Sequence, residues 1–215
     1  ARKKALEKYF AKLNDMQKKA VFTTEGPVLI LAGAGSGKTS VLVNRIANMV
    51  NFGSAYTDTN VPASANEDDV TFLESYNGEK DEETVARFKE IAAVNPVDPW
   101  KIMAITFTNK AAGELKERLE TMLGTNAENI TAATFHSVCV RILRREIERI
   151  GYGHDFAIYD SDDSLRLLKS CYEALDMSDK IFNPKVVIAA ISHAKDNLLT
   201  PELYAEQTEN DYFKV

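Results

Sequence analysis

Eight consecutive residues, Ala32-Gly33-Ala34-Gly35-Ser36-Gly37-Lys38-Thr39, carry the clearest chemistry in the chain. A polyphosphate needs several backbone N–H groups converging on it, and glycine and alanine let the main chain approach with no side chain in the way. Lys38 offers a mobile cation for β- and γ-phosphates, and Thr39 offers a hydroxyl to a Mg²⁺ ion. The expected ligand is ATP with Mg²⁺. Gly33, Ala34, Gly35, Ser36 and Gly37 form its cradle, Lys38 and Thr39 are the catalytic pair, and Ser40 follows at the cradle's edge.

The flanking elements give this turn its meaning. Val28-Leu29-Ile30-Leu31-Ala32 is a short apolar run after Gly26-Pro27 and reads as a strand buried on both faces. A helix is expected from Lys38 to about Val50, adding its dipole and free N–H groups to the cradle. Strand, glycine-rich turn and helix in that order are the context of a P-loop, with Ala32 where the pattern usually has glycine.

Upstream, residues 3–22 read as helix with a break at Leu13-Asn14, where Asn14 can cap and Gln17 stands at the capping-box position. Downstream, Ile102–Phe107 reads as a strand. Lys110–Leu123 reads as a helix with Ala111, Leu115, Leu119 and Met122 inward, stopped by Gly124, and Ile130–Phe135 reads as a third strand. The alternation implies an α/β fold with a parallel sheet. From Ser137 onward only helices are expected, over about 137–150, 163–176, 184–196 and 201–208. The division is therefore an ATP-binding α/β domain over 1–139 and an α-helical appendage over 140–215.

The formal net charge of −6 conceals an uneven distribution. Residues 51–98 hold eleven acids and three bases, a local −8, so the rest of the chain is slightly basic and open to a polyanion partner. Within this acidic insertion, 51–66 reads as a mobile loop and Asp81–Val94 as a short helix with Val85, Phe88, Ile91 and Ala92 on one face, packed on the body. The insertion is expected as a solvated surface loop, or alternatively as a docking element for a protein partner. Cys139 and Cys171 are too few for a disulfide scaffold, and His136, His154 and His193 show no zinc spacing. No apolar stretch reaches the ~18 residues of a membrane span, and no apolar core follows the basic start, so a cytoplasmic, membrane-free protein is expected.

Three further motifs join AGAGSGKT: Leu13-Asn14-x-x-Gln17, Thr106-Phe107-Thr108-Asn109-Lys110-Ala111-Ala112 and Thr134-Phe135-His136-Ser137. Taken in order they resemble the UvrD/PcrA/Rep group of superfamily 1 DNA helicases. The likeness continues through Val140–Arg145, Phe156-x-Ile158-x-Asp160 and Ala194–Leu199 and covers nearly the whole chain outside 51–98. The resemblance implies a RecA-like ATP-binding sheet with an inserted helical subdomain. It implies a motor that moves on single-stranded DNA, 3′ to 5′, and opens ss/ds junctions. Under it, Gln17 reads the adenine edge, or serves only as a helix cap. Phe107 stacks on a base, or is a buried strand residue. Thr108 and Asn109 touch the DNA backbone, or merely cap the next helix. His136 contacts DNA, or is a core histidine. Lys195 touches duplex, or is a solvated surface lysine. Relatives commonly carry Arg where Ser40 stands, so base stacking from that side is in question.

Hydrolysis also needs an acidic pair ending another strand, and arginines near the γ-phosphate. The chain's Asp-Glu pair, Asp81-Glu82, follows no apolar strand and reads as a decoy. The expectation is an N-terminal part of a longer enzyme, ending at Tyr212–Val215 inside the appendage and inactive alone. Alternatives are the helicase–nuclease subunit of a recombination complex, a P-loop small-molecule kinase and a non-catalytic DNA-binding module.

Overall fold

The computed structural model describes residues 1–33, 35–61 and 64–208, with the side chain of Thr208 left aside. Ala34 of the cradle and the terminal Tyr212–Val215 lie outside them. The chain divides into two compact units, Ala1–Glu146 and Ile147–Val215.

The first unit opens with α1 (Arg2–Tyr9) and α2 (Asp15–Phe22), followed by α3 (Lys38–Asn51), α4 (Glu67–Ser75) and α5 (Glu82–Ala92). Then come β1 (Met103–Thr106), α6 (Asn109–Leu123), β2 (Thr131–Thr134) and α7 (Phe135–Glu146). Strands β1 and β2 pair in parallel, in register from Met103↔Thr131 to Thr106↔Thr134. The boundary expected at 139/140 falls within α7, a helix that continues directly from β2.

Two core clusters hold this unit together. In the first, Ile46 and Ala47 of α3 and Leu115, Leu119 and Leu123 of α6 close over Ile102, Ala104 and Ile130. The inward stripe of α6 is Ala112, Leu115, Leu119 and Leu123, while Ala111 is exposed and Met122 half-buried. The expected stripe was thus out by one position at each end, with Leu123 in the buried place. Gly124 terminates α6 with φ +58°, as the sequence implied.

The second cluster overturns the solvated-loop expectation for the acidic segment as a whole and agrees with the packing expected of its Asp81–Val94 helix. Phe52, Ala55, Leu73, Tyr76, Phe88 and Ala92 pack with Ala5, Leu6, Tyr9 and Phe10 of α1 and with Val21 and Phe22 of α2. Phe52 and Phe88 are fully buried, 5.0 Å apart at their ring centroids, and Tyr9 meets Phe52 edge-on at 5.1 Å. The acids sit on outward faces and at helix starts. Asn66 and Asp69 form the capping box of α4, and Asp81 accepts from the Thr84 N–H at 2.9 Å to cap α5. The acidic composition describes a solvated face, and the apolar periodicity beneath it decides the fold.

Hydrogen bonds tie the segment to α1. Lys8 Nζ donates to the Tyr76 carbonyl at 2.7 Å, the Tyr56 hydroxyl donates to Glu7 Oε1 at 2.7 Å, and Arg2 donates to the Asp58 carbonyl. At Gly53, φ is +58°, and a Cβ would lie 2.1 Å from the Val94 carbonyl oxygen, so only glycine permits the parallel bridge between Gly53 and Val94.

The strand expected over Val28–Ala32 does not form. An extended segment becomes a strand when neighbouring backbone groups pair with it, and no described residue pairs with this one. Leu29 and Leu31 accordingly stand 84% and 87% exposed. The apolar run meets the side-chain requirement of a doubly buried strand without the ladder.

The second unit is helical, as expected: a short 3₁₀ turn over Ile147–Ile150, then α8 (Ser161–Ala174), α9 (Pro184–Asp196) and α10 (Pro201–Thr208). Asp160 accepts from the Asp162 and Asp163 N–H groups, both at 2.8 Å, to cap α8, and Asn183 caps α9 ahead of Pro184. Helices α8 and α9 pack on each other. No helix among the described residues is long and apolar enough to cross a membrane.

Two predictions test the packed acidic segment. Phe88→Ala removes a fully buried ring and is expected to cost about 3–5 kcal/mol in urea unfolding; a change within about 0.5 kcal/mol would match a surface position instead. The Tyr76 phenol, stacked on Phe88 at 4.5 Å, is pushed up to about 12, chiefly by burial, with Tyr9, Asp81 and Glu79 adding charge repulsion. Its folded value lies above the ordinary 10.0, so the neutral form is favoured in the fold. Stability is whole below pH 10 and declines as pH rises toward 12. Ultraviolet absorbance of tyrosinate and far-ultraviolet circular dichroism, titrated together, are expected to change in step over that window.

Candidate functional site

The glycine-rich turn is held from two sides. On one, Gln17 uses both ends of its amide. Its Oε1 accepts from the Asn14 N–H at 3.0 Å while Asn14 Oδ1 accepts from the Gln17 N–H at 2.9 Å, closing the capping box of α2. Its Nε2 donates to the Ser36 carbonyl at 3.1 Å. The cap and the contact with the cradle therefore coexist in one residue.

On the other side, the turn runs into α3 through two left-handed glycines, Gly35 at φ +74° and Gly37 at φ +79°. Gly37 is the N-cap of α3, and a Cβ there would lie 3.1 Å from Gln17 Nε2. The first intrahelical bond runs from the Val41 N–H to the Gly37 carbonyl, so the N–H groups of Lys38, Thr39 and Ser40 have no partner within the helix. They point out of the helix start, where its dipole favours an anion.

Ser36 Oγ donates to the Gly33 carbonyl at 2.7 Å, and Lys38 Nζ donates to the carbonyls of Gly33 at 2.7 Å and Ala32 at 3.2 Å. The ammonium group thus lies folded over the turn, bonded to neutral acceptors that a phosphate would outcompete. Lys38 and Thr39 are both exposed. A cavity of about 720 Å³ opens beside the turn, walled by Gln17, Ser36, Lys38 and the 27–33 segment. That is the size of a nucleotide site. Left-handed glycines, free N–H groups and a mobile lysine at one helix start suit an anionic ligand such as a nucleotide's phosphates.

A second group of candidates gathers at the carboxyl ends of β1 and β2. Phe107 leaves β1 with 91% of its surface exposed, so it is not a buried strand residue. Phe135, the first residue of α7, is 49% exposed, and its ring lies 5.7 Å from that of Phe107 at an interplanar angle of 40°. Each phenylalanine is set by a threonine cap. Thr108 Oγ1 accepts from the Ala111 N–H at 3.1 Å to start α6. Thr134 Oγ1 accepts from the Ser137 N–H at 3.3 Å and lies 2.9 Å from Ser137 Oγ to start α7. Asn109 and His136 are exposed on the first turns of these helices, so the core-histidine alternative for His136 is excluded. Sequence reasoning passed over Phe135 as a site residue. The repeated Thr-Phe pair at the ends of both strands was the signal available for it.

Lys195 lies exposed on α9, in the second unit. Asp81 is the N-cap of α5 and Glu82 its first residue, and neither follows a strand among the described residues.

Comparison with known proteins agrees with this arrangement of motifs. The family described as UvrD/REP helicase N-terminal domain matches residues 13–61 and 80–214. The internal stretch left unmatched, 62–79, falls inside the acidic segment. The ATP-dependent DNA helicase PcrA of Bacillus subtilis strain 168 is 39% identical over 203 residues, which is 94% of this chain and 22% of that protein. The proteins of the same name from Staphylococcus epidermidis RP62A and Staphylococcus aureus Mu50 are each 40% identical over 200 residues, again 93% of this chain and 22% of theirs. The chain thus spans about a fifth of the length of these curated relatives. With the family matched over most of its residues, the chain belongs to the UvrD/REP helicase N-terminal domain family.

Proposed function

We propose that this chain is the ATP-binding and DNA-gripping part of an ATP-driven motor that translocates on single-stranded DNA in the 3′-to-5′ direction and unwinds duplex at ss/ds junctions. The relatives carry the name ATP-dependent DNA helicase, and the same activity is proposed here for the protein to which these residues belong. It would act in the cytoplasm, hydrolyse ATP and serve DNA repair.

The observation that carries the reading is the pairing of two sites in one unit: a lysine-bearing glycine cradle gripped by Gln17, and an exposed Phe107–Phe135 pair where two parallel strands end. In a RecA-like sheet, ligands bind beyond the carboxyl ends of the strands, and the Phe107–Phe135 pair lies at two such ends. The phosphates of ATP would take the N–H groups of Lys38, Thr39 and Ser40, displace the Lys38 ammonium from the Ala32 and Gly33 carbonyls, and bring Mg²⁺ to Thr39. Bound Mg²⁺ supplies charge neutralisation between the β- and γ-phosphates. Gln17 would read the adenine edge from its fixed place on α2. Unpaired bases would stack on Phe107, the DNA backbone would meet the short polar groups of Thr108, Asn109 and His136, and Lys195 would meet duplex. Glu82 and Asp81 take no part.

A coupling follows from the proposal. Moving Lys38 off the Gly33 carbonyl frees the acceptor that also holds Ser36 Oγ, and the Ser36 carbonyl in turn holds Gln17. Nucleotide arrival would therefore be felt at α2 through the turn as well as through the adenine contact of Gln17.

Two measurements test the reading. Lys38→Ala is expected to weaken binding of a non-hydrolysable Mg²⁺·ATP analogue by tenfold or more in titration calorimetry, since a charge-assisted bond is worth about 1.5–3 kcal/mol. The fold should be unaffected, because Lys38 is exposed, and unchanged affinity would refute the nucleotide site. Phe107→Ala is expected to weaken binding of an oligo-dT strand by about 1–3 kcal/mol in fluorescence anisotropy, at fixed salt. Equal affinity of variant and parent would remove Phe107 from the DNA path.

A further inference from the structure

On a flank of α3 away from α2, a cavity of about 700 Å³ is lined by residues of α1, α3, α5 and α6. Its charged wall comes from Lys80 and Lys89, at and in α5, and from Arg118 of α6. Among the described residues, Glu82 is the acidic side chain in that wall, and Arg118 is itself paired with Glu114 at 2.5 Å. Neither Lys80 nor Lys89 forms an ion pair with a described carboxylate. The Lys80 side chain is exposed as a whole, yet its ammonium lies 4.3 Å over the Tyr9 ring, and the Lys89 side chain is half-buried. Burial lowers the pKa of both, and the cationic Lys12 adds to the effect at Lys80. Lys80 and Lys89 are thus two partly desolvated ammonium groups in one cavity wall, neither in an ion pair with a described carboxylate, and an arriving anion would offset that desolvation cost.

The rest of the cavity selects what kind of anion fits. Ser40, Asn44 and Thr121 are its polar members, with Asn44 Nδ2 donating to the Ser40 carbonyl at 2.8 Å and Thr121 Oγ1 to the Glu117 carbonyl at 2.9 Å, while Val43, Val85 and Met122 give an apolar wall. We propose that this cavity is a second ligand site, separate from the glycine cradle, that takes a small organic phosphate of nucleotide size. A nucleic-acid strand suits it less, because the ring in its wall, Tyr9, is buried and covered by Lys80, so no aromatic platform faces outward. Ser40 directly follows Thr39 of the cradle, so the ligand would touch the first turn of α3 from another flank and stabilise the helix start that the first site uses. The lysines that build the site lie in the acidic segment, whose helix α5 is thereby given a binding role.

Methionine-methyl NMR on the whole chain separates the two sites. Met16 lines the cavity beside the cradle and Met122 lines this one. Titration with ADP is expected to shift both methyl signals with different midpoints. In Lys38→Ala the Met16 response should weaken and the Met122 response persist. In the double variant Lys80→Met, Lys89→Gln, which keeps the side-chain stems, the Met122 midpoint should rise at least tenfold while Met16 still responds, and that retained response also certifies the fold. The proposal is overturned if ADP leaves Met122 unmoved, if the Met122 response disappears in Lys38→Ala, if the double variant leaves it unchanged, or if an oligo-dT strand shifts Met122 where ADP does not. Loss of the Met16 response alone would count against the cradle and leave this site standing.

Discussion

The structure of the cradle depends on one side-chain amide. Gln17 has a carbonyl oxygen and an NH₂ group, and the fold uses them in opposite directions: the first ends α2 properly, the second holds the Ser36 carbonyl. Because α2 is anchored in the aromatic core through Val21 and Phe22, the amide transmits the rigidity of that core to a turn with little packing of its own. Arg45 of α3 adds a second tie across the same gap, donating to the Ala20 carbonyl at 2.6 Å and to the Thr23 carbonyl. A cradle of glycines costs conformational entropy to order, since glycine has the most freedom to lose. The ties to α2 are how that cost is met here, and they explain why the helix preceding the turn is as much a part of the site as the helix following it.

The acidic segment shows how composition and pattern can point in different directions. A local charge of −8 invites the reading of a solvated loop. Yet Phe52, Leu73, Tyr76 and Phe88 were in the sequence as well, and their burial against α1 outweighs the repulsion among carboxylates that face water. Several of those carboxylates stabilise the segment locally. The Asp81 carboxyl is held below its ordinary value by the Thr84 N–H it accepts from, as an N-cap should be. The segment therefore completes the hydrophobic core on which α1 and α2 rest, and through α2 it supports the cradle.

Local signals were legible in the sequence wherever one residue type does one job. Asn14 with Gln17, Gly37 before Lys38, Thr108 before α6, Gly124 after it and Pro184 at the start of α9 all stand where cap chemistry puts them. What was illegible depended on partners. Val28–Ala32 has the residues of a buried strand, but a strand is defined by the chain beside it, and that information is not in five residues. Helix α4 was hidden because Glu67-Asp68-Asp69 reads as charge rather than as a favourable first turn behind Asn66. His136 reads as a strand-end residue until β2 is seen to stop at Thr134, which turns Phe135 and His136 onto the outside of a helix.

The aromatic pair at the strand ends follows from register. Parallel pairing brings Thr106 opposite Thr134, so the next residue on each strand leaves the sheet at the same level. Adjacent strands lie about 4.8 Å apart, and the Phe107 and Phe135 rings stand at 5.7 Å, close to that spacing although one belongs to a turn and the other to a helix. Sliding either strand by one residue would separate the rings along the strand by about 3.3 Å and turn Ala104, or its partner Ala132, away from the core they share. The core contacts that fix register are therefore the same contacts that fix the exposed pair. Two Thr-Phe steps, 28 positions apart in the chain, make one surface because a small hydrophobic core will accept the two strands in only one alignment.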